Sequence, residues 1–331
     1  MSDRATSVLV TAAGAEGTPG KILALRGAGH RVVAVDIDPR APGLFLADRA
    51  HVVPPGTSPS FISAITRICE IEDIKAIVPL VDEELVPIWA LAGWGVQILL
   101  PRAELVALCL DKLALMEKLR DDGVPVPRTR SAAHEVGDLS FPLIVKPRSG
   151  RGSRGISVVR DRAELDAVLR SHGEHVGGFI VQEYVQGPEY SVSVVVWRDR
   201  VVQAVVSKEV YFKEGSSRYA VTRHDAALTE VCIKTAHALD ADGPLNVQAR
   251  VDSSGTPYVF EINPRFSGSA TLTVQAGVDE ICGLVAQALN GGTPVVRNTW
   301  REGVAMIRHA TETFVTEPDF SRNYWSLQQN G

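Results

Sequence analysis

The chain has 331 residues, of which 45% are hydrophobic and 22% charged, and a net charge of −5 at pH 7. This length allows two or three domains, and the composition is ordinary for a soluble globular protein. No run of like charge is long enough to follow a nucleic-acid backbone, which argues against that class of partner. The four cysteines form no CxxC pair, so we expect reduced thiols in a cytoplasmic protein.

No secretion signal and no membrane span are expected from the hydrophobic pattern. The start, MSDRATSVLVTAAG, lacks a basic segment followed by an apolar one. The most apolar stretch, residues 74–100, is interrupted by three acidic residues at 82–84 and by prolines.

The first hundred residues alternate between strand and helix patterns. Strands are predicted at 7–14, 30–38, 76–81 and 96–101, with a helix at 19–29. Because this alternation requires crossover connections, it predicts a parallel sheet covered on both faces.

The middle of the chain reads as a mixed α+β unit. Apolar residues at helical spacing predict a helix within 104–123, with Asp111 as a candidate cap. Strands follow at 141–147 and 156–160, then a helix at 162–173 and a strand at 178–185.

The last third predicts two antiparallel hairpins separated by a helix. The first hairpin spans 189–210 and turns at Arg198–Asp199, the helix covers 225–241, and the second hairpin spans 245–264 with a turn at 253–255.

The second hairpin places unusual polar residues on one face. Glu261, Asn263 and Arg265 alternate with Phe260 and Ile262, and pairing brings Gln248 of the opposite strand close to the first two. Oxygen ligands on neighbouring rungs, about 5 Å apart, suit Mg²⁺, and Arg265 suits a phosphate or an oxyanion. An amphipathic hairpin with a solvated face is the alternative interpretation.

A glycine-rich loop joins two predicted strands in KPRSGRGSRGISVV. Its glycines allow backbone N–H groups to approach phosphate oxygens, and Lys146 precedes the loop. Because a strand follows it and GxxxxGK[ST] is absent, this is not a P-loop. Further on, Glu183–Val185 is a candidate hinge whose backbone would hydrogen-bond the edge of an adenine, and Glu189 would bind the ribose hydroxyls. A plain strand that ends at a turn explains the same pattern equally well.

Five segments in this order resemble the ATP-grasp superfamily: DKLALMEKLRDDGVPVPRT, FPLIVKPRSGRGSRGISVV, VQEYVQGPEYSVSVVV, LNVQARVD and FEINPRFSGS. They are most similar to the synthetase units of the carbamoyl-phosphate synthetase large subunit and to small carboxylate–amine ligases. The resemblance covers essentially the whole chain. It implies an α/β and α+β architecture, with a Rossmann-like preATP-grasp domain at 1–105, a small lobe at 106–187, a large lobe at 188–315 and a tail at 316–331. The nucleotide would lie between the two α+β lobes.

The resemblance also implies roles for individual positions. The residues expected to bind ATP are Lys112, Lys146, Ser149, Gly150, Gly152, Ser153, Gly155, Glu183, Tyr184, Val185 and Glu189. Gln248, Glu261 and Asn263 would ligate Mg²⁺, normally two ions, with Mn²⁺ as a substitute. Many members carry an acidic residue where this chain has Gln248, but the carbamoyl-phosphate synthetase branch also uses glutamine there. Arg265 would stabilise the transferred phosphoryl group or the tetrahedral intermediate.

Segment 207–224 carries the basic residues Lys208, Lys213, Arg218 and Arg223, and family topology places it over the γ-phosphate. We expect Lys208 and Arg218 to act catalytically by holding the acid substrate's carboxylate; a mobile surface loop is the alternative.

Two features of the first domain allow more than one interpretation. Gly14, Gly17 and Gly20 mimic a dinucleotide fingerprint, but the spacing is G-x-x-G-x-x-G and Pro19 lies inside the turn. We expect this loop to face the acceptor substrate. The acidic residues at 82–84 would bind an amino substrate or, as we prefer, form a solvated helix start.

The resemblance implies an ATP-dependent ligase. A small carboxylic acid would attack the γ-phosphate of ATP, and an amine or amino acid would then displace phosphate from the acyl phosphate. ATP-dependent carboxylation that uses bicarbonate as the acid is the alternative, and a nucleotide sensor without turnover is a more remote one. The expected partners are therefore small molecules, and a homodimer is left open.

Overall fold

The computed structural model describes residues 6–134, 136–152, 154–294, 297–317 and 319. In this part of the chain three β-sheets form, one for each third of the sequence. Ser153 and most of the expected tail at 316–331 lie outside the described residues.

The first sheet is parallel, as predicted, in the strand order β3-β2-β1-β4-β5. Its elements are β1 (Ser7–Val10), α1 (Thr18–Gly27), β2 (Arg31–Asp36), α2 (Pro42–Leu46), β3 (Arg49–Val52), α3 (Phe61–Ile71), β4 (Ile74–Val78), α4 (Asp82–Leu85), β5 (Gln97–Ile98) and α5 (Ala103–Leu110). The edge strand β3 was not predicted, because the sequence RAHV lacks an apolar run. The predicted strands at 76–81 and 96–101 are shorter than expected.

Both faces of this sheet are buried, which explains the continuous apolar runs of its strands. Val8 and Val10 pack with Ile281 on one side, whereas Leu9 packs with Ile65 on the other. The first of these clusters also includes Val206 of the third sheet, so it joins the first and last thirds of the chain.

The second sheet is antiparallel, in the order β6-β9-β7-β8. Its elements are α6 (Lys112–Asp121), β6 (Thr129–Ser131), β7 (Leu143–Pro147), β8 (Ser157–Val159), α7 (Arg162–His172) and β9 (Phe179–Glu183). The helical pattern at 104–123 forms two helices, α5 and α6. The chain breaks at Asp111, whose carboxylate accepts hydrogen bonds from the N–H groups of Leu113 and Ala114, as expected of a cap.

The third sheet is antiparallel, in the order β14-β13-β10-β11-β12-β15. Its elements are β10 (Glu189–Val196), β11 (Val202–Glu214), β12 (Ser216–Thr222), α8 (Ala226–Ala238), β13 (Leu245–Val251), β14 (Pro257–Asn263), α9 (Ala270–Ala276), α10 (Glu280–Leu289) and β15 (Ala305–Ile307). Segment 207–224 is therefore a hairpin within a sheet, and the mobile-loop alternative is wrong.

Candidate active site

A cavity of about 790 Å³ lies between the three sheets. Its walls come from the loop after β1, the β7–β8 loop, the β9–β10 connection, the tip of the β11–β12 hairpin, and β13 with β14. The predicted residues that line it are Lys112, Lys146, Gly150, Gly152, Glu183, Tyr184, Val185, Glu189, Gln248, Glu261, Asn263 and Arg265. Residues from distant parts of the sequence therefore share one space.

The predicted metal ligands lie on adjacent rungs of the β13–β14 pair. Gln248 is directly opposite Glu261, and Asn246 is opposite Asn263. The Asn263 amide is 3.5 Å from a Glu261 carboxylate oxygen. Carboxylate and carbonyl oxygens at this spacing fit Mg²⁺, which shares its coordination with water and phosphate. Asn246 was not predicted for the site, although its position on the same strand face indicated it.

A β-bulge alters the expected orientation of Phe260. The register shifts between Gln248 and Ala249, so that Ala249 pairs with Val259 and leaves Phe260 unpaired. Phe260 therefore lines the cavity, whereas strict alternation had placed it on the opposite face from Glu261. The expectation for Phe260 was wrong because a bulge cannot be read from alternation alone.

Lys146, at the end of β7, lies beside this bulge. Only 2% of its surface is exposed, and its ammonium donates to the Phe260 carbonyl at 3.2 Å and lies 5.3 Å from the Phe260 ring centroid. Burial lowers the pKa of Lys146 to about 8, with Glu261 acting in the opposite direction and Lys112 adding to the decrease. Such a group is well placed to gain from an incoming phosphate.

The glycine-rich loop is anchored at its start by Lys112 and Arg148. The Lys112 ammonium donates to the Gly150 carbonyl at 2.6 Å, and its backbone N–H donates to the Arg148 carbonyl at 3.0 Å. Gly150 and Gly152 have φ angles of 122° and 71°, which favour glycine. In the same loop, Ser149 and Gly155 do not line the cavity.

In the predicted adenine hinge, the Glu183 side chain already has hydrogen-bond partners, whereas the Val185 backbone N–H has none among the described residues. The Glu183 carboxylate accepts hydrogen bonds from Arg128 at 2.7 Å and from the Ser140 N–H at 2.8 Å. No acceptor for the Val185 N–H is present among the described residues. The Arg250 guanidinium carbon lies over the Tyr184 ring, 4.8 Å from the centroid of that ring.

Glu189, predicted for ribose, is held by two cations. It contacts Lys213 at 2.9 Å and Arg250 at 2.6 Å. Burial pushes the pKa of Glu189 upward, but these two cations outweigh it and hold the pKa below its usual value. Lys213 also lies 3.4 Å from the side-chain amide oxygen of Gln248, so it contacts both the predicted ribose residue and a predicted metal ligand.

Arg265 connects a predicted metal ligand to the first domain. It donates to the side-chain amide oxygen of Asn263 at 3.2 Å and to Asp82 at 3.0 Å. Asp82 therefore supports Arg265 from outside the cavity, which it does not line. The expected solvated helix start is confirmed for Glu83, which is exposed in α4. It is wrong for Glu84, which is buried and accepts hydrogen bonds from Thr11 and from the Leu80 N–H.

Lys208 and Arg218 do not line the cavity, contrary to the role expected for them. Lys208 is fully buried and donates to Ser193 at 2.7 Å and Thr273 at 3.0 Å. Arg218 pairs with Glu16 and Glu214, each at 3.3 Å. Strand pairing does not explain the difference, because Lys208 lies opposite Ser191, which lines the cavity. The Lys208 ammonium instead lies against Ser193 and against Thr273 of α9, which cover it. Lys213 is the basic residue of this hairpin that lines the cavity.

The loop after β1 faces the same cavity, from the side opposite the glycine-rich loop's lobe. Gly14, Glu16, Thr18 and Lys21 line it. The Gly14 N–H donates to Asp36 at 2.7 Å, so Asp36 serves to hold the loop in place. A β-carbon on Gly17 would lie 2.2 Å from the Gly268 carbonyl oxygen, which shows how closely this loop approaches the segment after β14.

An α/β domain followed by two α+β lobes around a shared cavity is the ATP-grasp fold. Residues 175–312 match the family described as "ATP-grasp in the biosynthetic pathway with Ter operon", and residues 8–91 match the "PylC-like, N-terminal domain" family. The chain thus combines an ATP-grasp domain with a PylC-like N-terminal domain. The ATP-grasp resemblance inferred from its motifs is confirmed.

Individual relatives are consistent with this assignment. A D-alanine–D-alanine ligase of Anaeromyxobacter sp. (strain K) is 27% identical over 270 residues, which cover 76% of this chain and 81% of that protein. The L-amino acid ligase from Bacillus licheniformis superposes with a TM-score of 0.69 at 18% identity, covering 89% of this chain and 76% of the other. A biotin carboxylase from Campylobacter jejuni gives a TM-score of 0.71 at 21% identity, covering 89% and 74%. These structural similarities establish the fold alone.

In the part of the chain that the structure describes, no helix is both long and apolar enough to cross a membrane.

Proposed function

We propose that the protein is an ATP-dependent carbon–nitrogen ligase, which activates a small carboxylic acid as an acyl phosphate and couples it to an amine. The observation that carries this proposal is the meeting of two buried lysines, three oxygen ligands and Arg265 around one cavity. The similarity to a protein named D-alanine–D-alanine ligase supports the same reaction class. We further propose the division into a first domain at 1–105, lobes at 106–187 and 188–315, and a tail at 316–331.

The nucleotide would bind with its phosphates at the lysine end of the cavity. Lys112 and Lys146 would neutralise phosphate charge, and the loop 149–155 would contribute backbone N–H groups. Adenine would lie at Glu183–Val185, where the Val185 N–H is available, and ribose at Glu189. Mg²⁺ bound by Gln248, Glu261 and Asn263, with two ions proposed and Mn²⁺ as a substitute, would supply further charge neutralisation.

The chemistry would proceed by two displacements. A carboxylate oxygen of the acid forms a bond to the γ-phosphorus, while the bond from that phosphorus to the ADP oxygen breaks. The amine nitrogen then forms a bond to the carbonyl carbon, phosphate leaves with the bonding electron pair, and the nitrogen gives up a proton. Arg265 is positioned to hydrogen-bond the oxygen that becomes negative, and loop closure would exclude water. No protein nucleophile is needed.

A carboxylase that uses bicarbonate as the acid is the second candidate, because a biotin carboxylase shares the fold. A nucleotide sensor without turnover is a third, and the presence of Lys146, Glu261, Asn263 and Arg265 together argues against it. ADP release distinguishes the three: the ligase releases ADP when an acid and an amine are present, the carboxylase when bicarbonate and one acceptor are present, and the sensor binds ATP without releasing ADP.

The first test replaces Glu261, the carboxylate among the proposed metal ligands. We expect Glu261→Gln to lower ligation by about 10²–10³-fold, because transition-state charge loses part of its neutralisation, while adenosine binding is retained. Glu230→Gln, on the exposed face of α8, is the matched control and should behave like the wild type.

The measurement is ADP and phosphate release from MgATP across a matrix of carboxylic acids, amino acids and amines, with mass spectrometry of active mixtures. A product mass equal to acid plus amine minus water establishes the ligase. ADP release that requires bicarbonate would replace it with the carboxylase, and normal turnover by Glu261→Gln would remove Glu261 from the site.

A further inference from the structure

Lys21 is a buried lysine of the cavity wall that the reaction outlined above does not use. It lies in the first turn of α1 and has only 1% of its surface exposed, yet it lines the cavity. Among the described residues nothing accepts a hydrogen bond from its ammonium. Burying an ammonium without a partner costs several kcal/mol, so its position favours an anion supplied from outside the chain.

The charged groups around Lys21 do not satisfy it. Burial lowers its pKa to about 7; Glu280 acts in the opposite direction, whereas Arg265, Arg308 and Lys208 lower the pKa further. Glu280 already accepts from Ser193 at 2.8 Å and interacts with Lys208. The surroundings of Lys21 are thus more cationic than anionic.

The three neighbouring cations each have partners, unlike Lys21. Arg265 pairs with Asp82 at 3.0 Å, and Arg308 donates to the Gly268 carbonyl at 3.0 Å. Lys208 donates to two hydroxyl groups, as described above. Within the described residues, Lys21 is therefore the cation of this group that is left to bind a ligand.

Thr18, one turn earlier on α1, provides an independent second observation. Its hydroxyl oxygen is buried, has no hydrogen-bond partner among the described residues, and belongs to a residue that lines the same cavity. Residues three apart on a helix share a face, and both Thr18 and Lys21 line the cavity. They do so at the positive end of a ten-residue helix, which favours an anion.

This pair belongs to a different part of the fold from the lysines proposed for the ATP phosphates. Lys21 and Thr18 lie on α1 of the first domain, with the Lys21 ammonium 3.3 Å from where a β-carbon on Gly17 would be. Lys112 and Lys146 lie on α6 and β7, and the Lys146 ammonium contacts the Phe260 carbonyl of β14. We therefore assign the anion at Lys21 to a substrate and not to ATP. One ammonium and one hydroxyl complement a group with a single negative charge shared by two oxygens.

We propose that Lys21 and Thr18 bind a substrate carboxylate other than the one that is phosphorylated. This inference rests on the proposed ligase function and deepens it: one of the two substrates carries a spare carboxylate. That carboxylate belongs either to the amine substrate, which is then an amino acid, or to the acid substrate, which is then a dicarboxylic acid.

The first experiment compares each active substrate with its carboxamide in wild type, Lys21→Met and Lys75→Met. Lys75 is an exposed lysine paired with Asp73 and serves as the matched control. We expect Lys21→Met to lower kcat/KM about 100-fold for the substrate with the carboxylate and to leave the carboxamide unaffected. Equal losses for both forms would overturn the proposal. Carboxamides of the amine and of the acid, tested separately, identify which substrate carries the group.

The second experiment needs no turnover. An amine-reactive reagent labels the wild-type protein at pH 7.5 with MgADP present, and mass spectrometry follows Lys21 while acetate, L-lactate, D-lactate or lactamide is added, none of which carries an amine that would consume the reagent. We expect at least one carboxylate to slow labelling of Lys21 at least about fivefold, and lactamide to have no effect. No protection by any carboxylate, or equal protection by lactamide, would contradict the carboxylate site.

The two experiments separate failure of the site from failure of the ligase. Protection of Lys21 without ligation in any mixture keeps the anion site and removes the proposed reaction. Ligation with neither carboxamide discrimination nor protection keeps the ligase and removes Lys21 from substrate binding.

Discussion

Lys146 shows how a single residue combines burial and charge at this site. Its ammonium is nearly inaccessible to solvent, and its pKa is lowered to about 8 because desolvation disfavours the charged form. Because a phosphate binds the protonated form of Lys146, nucleotide affinity should be highest below this pKa and should decrease as the pH rises through it.

We therefore expect ADP binding to weaken about tenfold between pH 7 and pH 9, since about one tenth of Lys146 remains protonated at pH 9. Isothermal titration calorimetry at both pH values measures this. Adenosine, which lacks phosphates, is the control and should bind equally at both. ADP binding that is independent of pH would show that Lys146 does not contact the phosphates.

Three buried lysines illustrate what residue type alone cannot predict. Lys21, Lys146 and Lys208 are each surrounded by apolar sequence, and all three are nearly inaccessible. The resemblance assigned Lys146 correctly to the cavity wall, misplaced Lys208 and said nothing of Lys21. What separates them is the set of atoms around each ammonium, and these atoms come from distant segments.

Among the elements, α6 links helix capping to the proposed nucleotide site. Asp111 caps the helix and also accepts from Arg148 at 2.7 and 2.6 Å, so it ties the start of α6 to the start of the glycine-rich loop. Lys112 follows immediately. The break between α5 and α6 thus places a lysine where the loop begins.

Asp111→Ala should lower the free energy of unfolding by about 2 kcal/mol, from the lost cap and the lost ion pair. Asp225→Ala removes a comparable cap from α8 and should cost about 1 kcal/mol. Urea denaturation measures both, and equal losses would show that Arg148 contributes nothing. We also expect weaker ADP binding for Asp111→Ala only.

The stability lost in Asp111→Ala should be smaller at acidic pH. Hydrogen bonds from Arg148 hold the pKa of Asp111 below its usual value of 3.8. The stabilisation from this carboxylate is therefore present above that value and is lost as the pH falls through the folded-state pKa. The difference between wild type and Asp111→Ala should shrink accordingly in acid.

For the whole molecule, Arg198 is the clearest link between the first and third sheets. It was predicted as a turn residue, yet it donates to the carbonyls of Ile98, Leu100 and Asp242, at 3.2, 3.0 and 2.7 Å. Its guanidinium also lies over Trp197, 4.4 Å from the ring centroid. The cavity depends on this arrangement, because its walls belong to both parts of the chain.

We expect Arg198→Met to lower the free energy of unfolding by about 2–4 kcal/mol, since several carbonyls and Asp242 lose a charged donor. Arg162→Met, which breaks an exposed pair with Asp166 on α7, should change it by less than about 0.5 kcal/mol. Thermal or urea unfolding compares the two. A loss no larger than that of the control would mean that Arg198 does not hold the sheets together.

A second link joins the glycine-rich loop to the first domain. Arg151 donates to Glu83 at 2.9 Å, and both groups are partly exposed. Such an exposed pair contributes little stability on its own, so we expect it to hold the loop only weakly against the first domain. The three acidic residues after β4 therefore have different surroundings. Asp82 accepts a hydrogen bond from Arg265, Glu83 accepts one from Arg151 of the glycine-rich loop, and Glu84 is buried.

The amino-acid sequence was sufficient for the main strands and helices, although not for β3, and for the polar face of β13 and β14. These depend on local spacing: alternation with period two, helical periodicity, capping and glycine placement. The Gln248–Glu261 pairing followed from the same rule. The superfamily followed from the resemblance of five segments in a fixed order. Three-dimensional packing was needed for the bulge at Phe260, the burial of Lys208, the Arg265–Asp82 pair and the unpartnered Lys21. These depend on register shifts and on contacts between segments that are distant in the sequence, up to 183 positions apart for Arg265 and Asp82, and local spacing carries no information about either.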